Sequence, residues 1–137
     1  MNTFTQTVDL LHRGMSASLV RYSVIANNIA NADVPNFKRS TVSFESELRR
    51  AMDSNRHRPA LELTRTNPMH FNNHREQDVR DVQIRRVVDF ASTSRNDGNN
   101  VDPEQEFTLS LQTRMTYMLL ANAASFEFGQ VSRVLRG

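Results

Sequence analysis

Ala26-Asn27-Asn28-Ile29-Ala30-Asn31-Ala32-Asp33-Val34-Pro35-Asn36-Phe37-Lys38-Arg39 begins inside an apolar helical pattern and ends in a forced turn. Pro35 fixes its own φ and biases Val34 away from helical geometry, so the helix is expected to stop near Ala32 or Asp33. Asn36 stands where a left-handed residue would reverse the chain, a conformation that Asn tolerates best after Gly. Phe37 then offers a ring to cover the helix end, and Lys38 and Arg39 return the chain to solvent. Asn27, Asn28 and Asn31 are poor helix formers. Their amides are expected to bond neighbouring backbone at a packed, partly buried helix end.

Upstream of the turn, Val8, Met15, Tyr22 and Ile29 fall seven apart, interleaved with Leu11, Ser18, Ile25 and Ala32. That is a coiled-coil seam with one polar member. Between Gly14 and Ala32 only Arg21 is charged, which favours an interaction helix in a bundle over a solvated amphipathic one.

A second long helix closes the chain. Asp102 is a good N-cap, Pro103 suits the first helical position, and Glu104, Gln105 and Glu106 suit the first turn. Phe107, Leu111, Met115, Met118, Ala121, Ala124, Phe128, Val131 and Leu135 follow at three- and four-residue steps. From Met115 to Phe128, ten of fourteen residues are apolar and point all round the helix, so it must be buried on every side. The N-terminal helix can cover one flank, and the rest calls for other chains.

Between them the chain changes character. Phe44, Leu48 and Met52 predict a short helix near 43–53. Leu61 and Leu63 give a weak strand signal, and Val79, Val82, Ile84, Val87 and Val88 suggest extended structure pairing with 60–66. Asp97-Gly98-Asn99 marks a turn. The middle has too few large apolar residues for a core of its own. The expected fold is therefore mainly α. Residues 1–33 and 102–137 form a coiled-coil-like terminal pair, the inner assembly domain. Residues 34–101 form a loop-rich, partly disordered middle with at most a short helix and a small hairpin.

Composition narrows the function classes. The 137 residues carry a net charge of +2 and a pI near 9.7, compatible because Lys38 is the single lysine and arginine does not titrate in between. No face-long basic block occurs, and Arg49-Arg50 and Arg85-Arg86 lie near acids, which speaks against a nucleic-acid-binding module. The chain has no cysteine and no apolar run long enough to span a membrane, and without a basic stretch, apolar core and small-residue cleavage site at the N-terminus no secretory signal peptide is expected. His70 and His74 are four apart, but they follow Pro68 in a loop-like segment, no Glu adjoins His70 and the chain has no cysteine, so no metal or cofactor is expected. No nucleophile elbow or phosphate-binding loop is present, so neither an enzyme nor a small-molecule substrate is expected.

The opening stretch resembles the N-terminal signature of the flagellar rod and hook family, a helix ending in Asn-Asn-Ile-Ala-Asn-Ala-Asn-Thr-Pro-Gly-Tyr-Lys-Arg. The match runs through Asn27, Asn28, Ile29, Ala30, Asn31 and Ala32, then Pro35, Lys38 and Arg39. Asp33, Val34, Asn36 and Phe37 replace the usual Asn, Thr, Gly and Tyr, and Asn36 keeps the left-handed option. Asp97-Gly98-Asn99-Asn100-Val101-Asp102 before the last helix is similar to the Asp-Gly-Asn-x-Val-Asp of one basal-body rod branch. The proximal rod protein FlgC shares only the first motif and is the second choice. The resemblance implies a non-enzymatic subunit of the periplasmic proximal rod that polymerises through its terminal helices and transmits motor torque. It implies as partners further copies, the rod proteins FlgC, FlgF and FlgG, the rod-base protein FliE and the inner-membrane ring. Export would run through the flagellar type III apparatus.

Overall fold

The computed structural model describes residues 3–56, 78–92 and 95–136. Two long helices dominate: α1 spans Thr3–Ala30 and α3 spans Pro103–Arg136, with the shorter α2 at Glu45–Arg56 between them. Strands β1 (Ser40–Ser43) and β2 (Arg85–Val88) form a two-stranded antiparallel sheet, and Val79–Asp81 forms a single 3-10 turn. The chain divides into two compact units, Met1–Val42 with Ile84–Gly137, and Ser43–Gln83. Among the described residues no helix is long and apolar enough to cross a membrane.

In the larger unit α1 and α3 run antiparallel. Phe4 meets Phe128 edge to face with ring centroids 5.8 Å apart, Gly14 lies against Leu120, and Asn28 bonds Glu106. Gly14 costs helix propensity but allows a close approach, since a Cβ there would come within 3.0 Å of Leu120 Cδ1. The interior of this unit is unusually polar. Its buried apolar residues are Ala17, Val24, Ile25, Ala32 and Val101, outnumbered by the buried Ser18, Asn28, Ser40, Asn99, Asn100, Glu106 and Thr113.

Both helix ends follow local rules. The α1 helix stops at Ala30, two to three residues before the proline alone would force it to. Asn31 N is shared between Asn27 O and Asn28 O, at 3.2 and 3.1 Å, and Ala32 N bonds Ile29 O at 3.1 Å. The last turn thus tightens to 3-10 geometry before Pro35 is reached. Asn36 has φ 60°, the left-handed conformation its position predicts. At α3, Asp102 Oδ1 accepts from Glu104 N at 3.0 Å and Gln105 N at 3.4 Å, and Pro103 opens the helix.

In the smaller unit α2 begins and ends a little later than 43–53, with Glu45 and Glu47 in its first turn. Phe44 and Ala51 are buried. One middle expectation changes. Val79 is in a 3-10 turn rather than extended, because the Asp78 carboxylate caps Arg80 N at 2.9 Å. The strand Arg85–Val88 pairs with Ser40–Ser43, whose short polar sequence carries no strand signal, and Asp89 N bonds Arg39 O at 2.9 Å beside it. The suggested partner segment 60–66 lies outside the described residues, as do His70 and His74.

Candidate functional site: a buried polar clasp and an apolar outer face

The two sequence motifs interlock where α1 ends and α3 begins. Asn28 is fully buried; its Nδ2 donates to Ser40 O at 2.8 Å and Glu106 Oε2 at 3.0 Å, and its Oδ1 accepts from Ser40 N at 3.1 Å. The amide therefore pairs with Ser40 as a neighbouring strand would. The other carboxylate oxygen of Glu106, Oε1, accepts from Arg39 Nε in a short, charge-assisted bond across 67 residues. Glu106 is entirely removed from solvent, and each of its carboxylate oxygens has a partner within the chain.

Asn99 is the second pin. Its Nδ2 lies 2.9 Å from Ala32 O and Val34 O and 3.1 Å from Asn31 O, carbonyls of the turn that follows α1. Its Oδ1 accepts from Val101 N at 2.8 Å. Asn100 Oδ1 accepts from Arg39 N at 2.6 Å, while its Nδ2 donates to Asp89 O at 2.9 Å and Ser92 Oγ at 3.1 Å. Gly98, at φ 78°, packs so close to Asn36 that an added Cβ would lie 2.6 Å from Asn36 Oδ1. Asn36 N bonds Asp97 O at 3.0 Å and Lys38 Nζ bonds Gly98 O at 2.8 Å. Arg95 reaches back to Ala32 O at 3.0 Å.

Asp89 borders the clasp as a tight turn. The Ser92 hydroxyl, the Ser92 amide and the Ala91 amide bond its carboxylate at 2.6, 3.1 and 2.9 Å. These donors, the hydroxyl first, with the Arg39 charge, hold the carboxyl below its ordinary range against a small opposing cost of desolvation. Asn28, Asn99 and Glu106 thus commit their polar atoms to the chain itself, so the clasp holds rather than reacts.

The asparagines at the end of α1 do bond nearby backbone, Asn31 Nδ2 to Asn27 O at 2.7 Å as well as Asn28 to Ser40. Asn27 points elsewhere, its Oδ1 accepting from Arg86 Nη2 at 3.4 Å. Lys38 and Arg39 do not simply return to solvent; both are half-buried and tied into the clasp. Sequence reading missed Glu106 as an interior group, because a first-turn acid is normally explained by the helix dipole. The available signal is that Glu106 stands seven before Thr113 and fourteen before Leu120, in the row that meets α1.

Of the residues placed on the assembly seam, Ile25 is buried; Val8, Leu11, Met15 and Val131 are half-buried. Tyr22, Ile29, Phe107, Leu111, Met115, Met118, Phe128 and Leu135 are exposed, and Phe128 also touches Phe4. Within the motif, Ile29, Ala30, Pro35 and Asn36 are exposed, Ala32 is buried and Phe37 half-buried. On α3, Phe107, Leu111, Met115, Met118, Leu119 and Phe126 make a continuous apolar outer face.

A family description, "Flagella basal body rod protein", matches residues 11–38, the part of α1 and its turn that carries the motif. The chain is 43% identical to the flagellar basal body rod protein FlgB of Borrelia hermsii over 136 residues, covering 99% of this chain and all of the relative. It is 40% identical to that of Borreliella burgdorferi over the same spans. It is 32% identical to that of Bacillus subtilis, over all of this chain and 98% of the relative. These matches support neither the FlgC alternative nor the nucleic-acid-binding one.

Proposed function

Because the chain belongs to the family of flagellar basal body rod protein FlgB, we propose that it is a structural subunit of the bacterial flagellar rod that joins its neighbours through the outer face of α3. The observation that carries this role is the apolar stripe from Phe107 to Phe126 on the side of α3 turned away from the row meeting α1. Contiguous exposed apolar surface of this kind marks an interaction site. The assembly domain comprises residues 1–33 and 102–137, with the clasp holding its two helices together. Neighbours are further copies and other rod components, among them FlgC, FlgF and FlgG, with FliE and the inner-membrane ring at the base. The subunit lies in the periplasmic part of the basal body, transmits torque, and reaches it through the flagellar type III apparatus. Its role is mechanical and non-enzymatic.

The test contrasts the outer face with a basic pair. Met118→Asp places a carboxylate where a neighbour would bury it, at a cost of several kcal/mol per contact. Rod assembly and motility should be lost while the subunit is still synthesised and helical. Neutralising Arg49 and Arg50 together should have little effect, since exposed pairs such as Arg50–Glu47, at 3.4 Å, are worth about 0–1 kcal/mol. If motility survives Met118→Asp and fails without the arginines, the role is wrong.

A further inference from the structure

The α3 sequence offers α1 two faces, and the helix pair uses the less apolar one. The row turned toward α1 reads Glu106, Ser110, Thr113, Tyr117, Leu120 and Ala124, at alternating four- and three-residue steps. Its identity is set by Asn28 against Glu106 and Gly14 against Leu120. One residue further on, about 100° around the helix, begins the outer row of Phe107, Leu111, Met115 and Met118. Apolar burial alone favours packing α1 on that second row. On α1 a similar displacement appears: Tyr22 and Ile29 of the heptad seam stay exposed while Ala17, Val24 and Asn28, outside it, are buried.

We infer that the buried Glu106–Arg39–Asn28 contact is a selector that fixes which face of α3 meets α1, and so keeps the more apolar face free. Rotating α3 to bury Phe107 and Met118 would carry the Glu106 carboxylate away from Arg39 Nε and Asn28 Nδ2, leaving Asn28 buried with an unpaired donor. A single buried polar contact is known to specify register in coiled coils at some cost in stability. Here it specifies rotation. The outer face is an assembly surface only if the proposed function holds, whereas the choice of rows can be read on a single chain in solution, so the two can fail separately.

The chain contains no cysteine, so engineered pairs report without background. Phe4→Cys with Phe128→Cys reads the observed face, where the two rings meet. Phe4→Cys with Phe126→Cys reads the opposite one, two residues and about 200° away. With a short bifunctional thiol reagent the first pair should link at least about tenfold faster in the parent chain. In Glu106→Leu that preference should fall to parity or reverse, with the helical circular dichroism retained. Adding Met115→Gln and Met118→Gln to Glu106→Leu should restore it, because two polar amides then stand in the middle of the competing row and lower the gain from burying it. An unchanged preference in Glu106→Leu overturns the inference. So does a Glu106→Leu chain that loses its helix and selectivity and is not rescued by the outer-face changes.

Discussion

Asn99 holds the end of α1 and the start of α3 with one side chain, so its replacement tests the clasp directly. An amide has two donor protons, so three carbonyls at 2.9–3.1 Å share them. In Asn99→Ala the carbonyls are only partly orphaned. Ala32 O keeps Arg95 at 3.0 Å, Asn31 O keeps Val34 N at 3.1 Å, and Val34 O keeps Phe37 N at 3.3 Å. The Val101 amide, in a fully buried segment, loses its acceptor Asn99 Oδ1. A buried unsatisfied donor costs about 1–3 kcal/mol and each lost net bond about 1 kcal/mol, so the clasp should weaken by roughly 2–4 kcal/mol. Asn99→Asp is isosteric and keeps the acceptor for Val101 N, but turns an oxygen toward three carbonyl oxygens and buries a charge. It should be worse than alanine despite the smaller change in shape. The assay is amide exchange at Asn36 and Ser40, whose N–H groups bond Asp97 O and Asn28 Oδ1 inside the clasp without touching Asn99. With 1.4 kcal/mol per tenfold, Asn99→Ala should accelerate both by roughly 30- to 700-fold. Acceleration under about threefold, or an aspartate variant slower to exchange than the alanine one, would refute the clasp as the element holding this junction.

Asn36→Gly should leave the clasp intact, while Asn36→Val should destabilise it by about 1–2 kcal/mol because a β-branched residue resists φ 60°; amide exchange at Asn36 and Ser40 compares the two. Ser40 Oγ is buried without a hydrogen-bond partner, so Ser40→Ala should be neutral or stabilising by up to about 1 kcal/mol, read in the same exchange experiment. The Asp89 carboxyl titrates below its unfolded value, so the Asp89–Ser92 turn has its full stability above that unfolded value and loses it as pH falls through the lowered folded one. Ser92→Ala should move the Asp89 midpoint up toward the ordinary carboxylate range, followed by NMR of the Ala91 and Ser92 amides, and an unmoved midpoint would contradict the hydroxyl as the main cause.

Much of this protein is decided by short-range chemistry and can be read from the chain. Pro35 and the Asp102-Pro103 pair bracket the two helices, Asn36 takes the left-handed turn, and the apolar surplus of α3 points to partners, because each depends on residues within a turn or two of one another. The family signature is equally local, which is why it was legible before any fold was known. What only the tertiary structure decides is the rotation of each helix and the pairing of distant segments. A heptad pattern names a stripe about one residue wide at best, and the interior row of α3 begins at Glu106 rather than at Phe107. That choice hangs on Arg39 and Asn28, which lie 67 and 78 residues away in sequence. The strand Ser40–Ser43 likewise has no pattern of its own; it pairs with Arg85–Val88 where Asn28 and Asn100 hold the backbone of Ser40 and Arg39. Periodicity measures how apolar each face is, but a buried carboxylate with two partners outweighs a more apolar face without them, and those partners exist only once the chain has closed on itself.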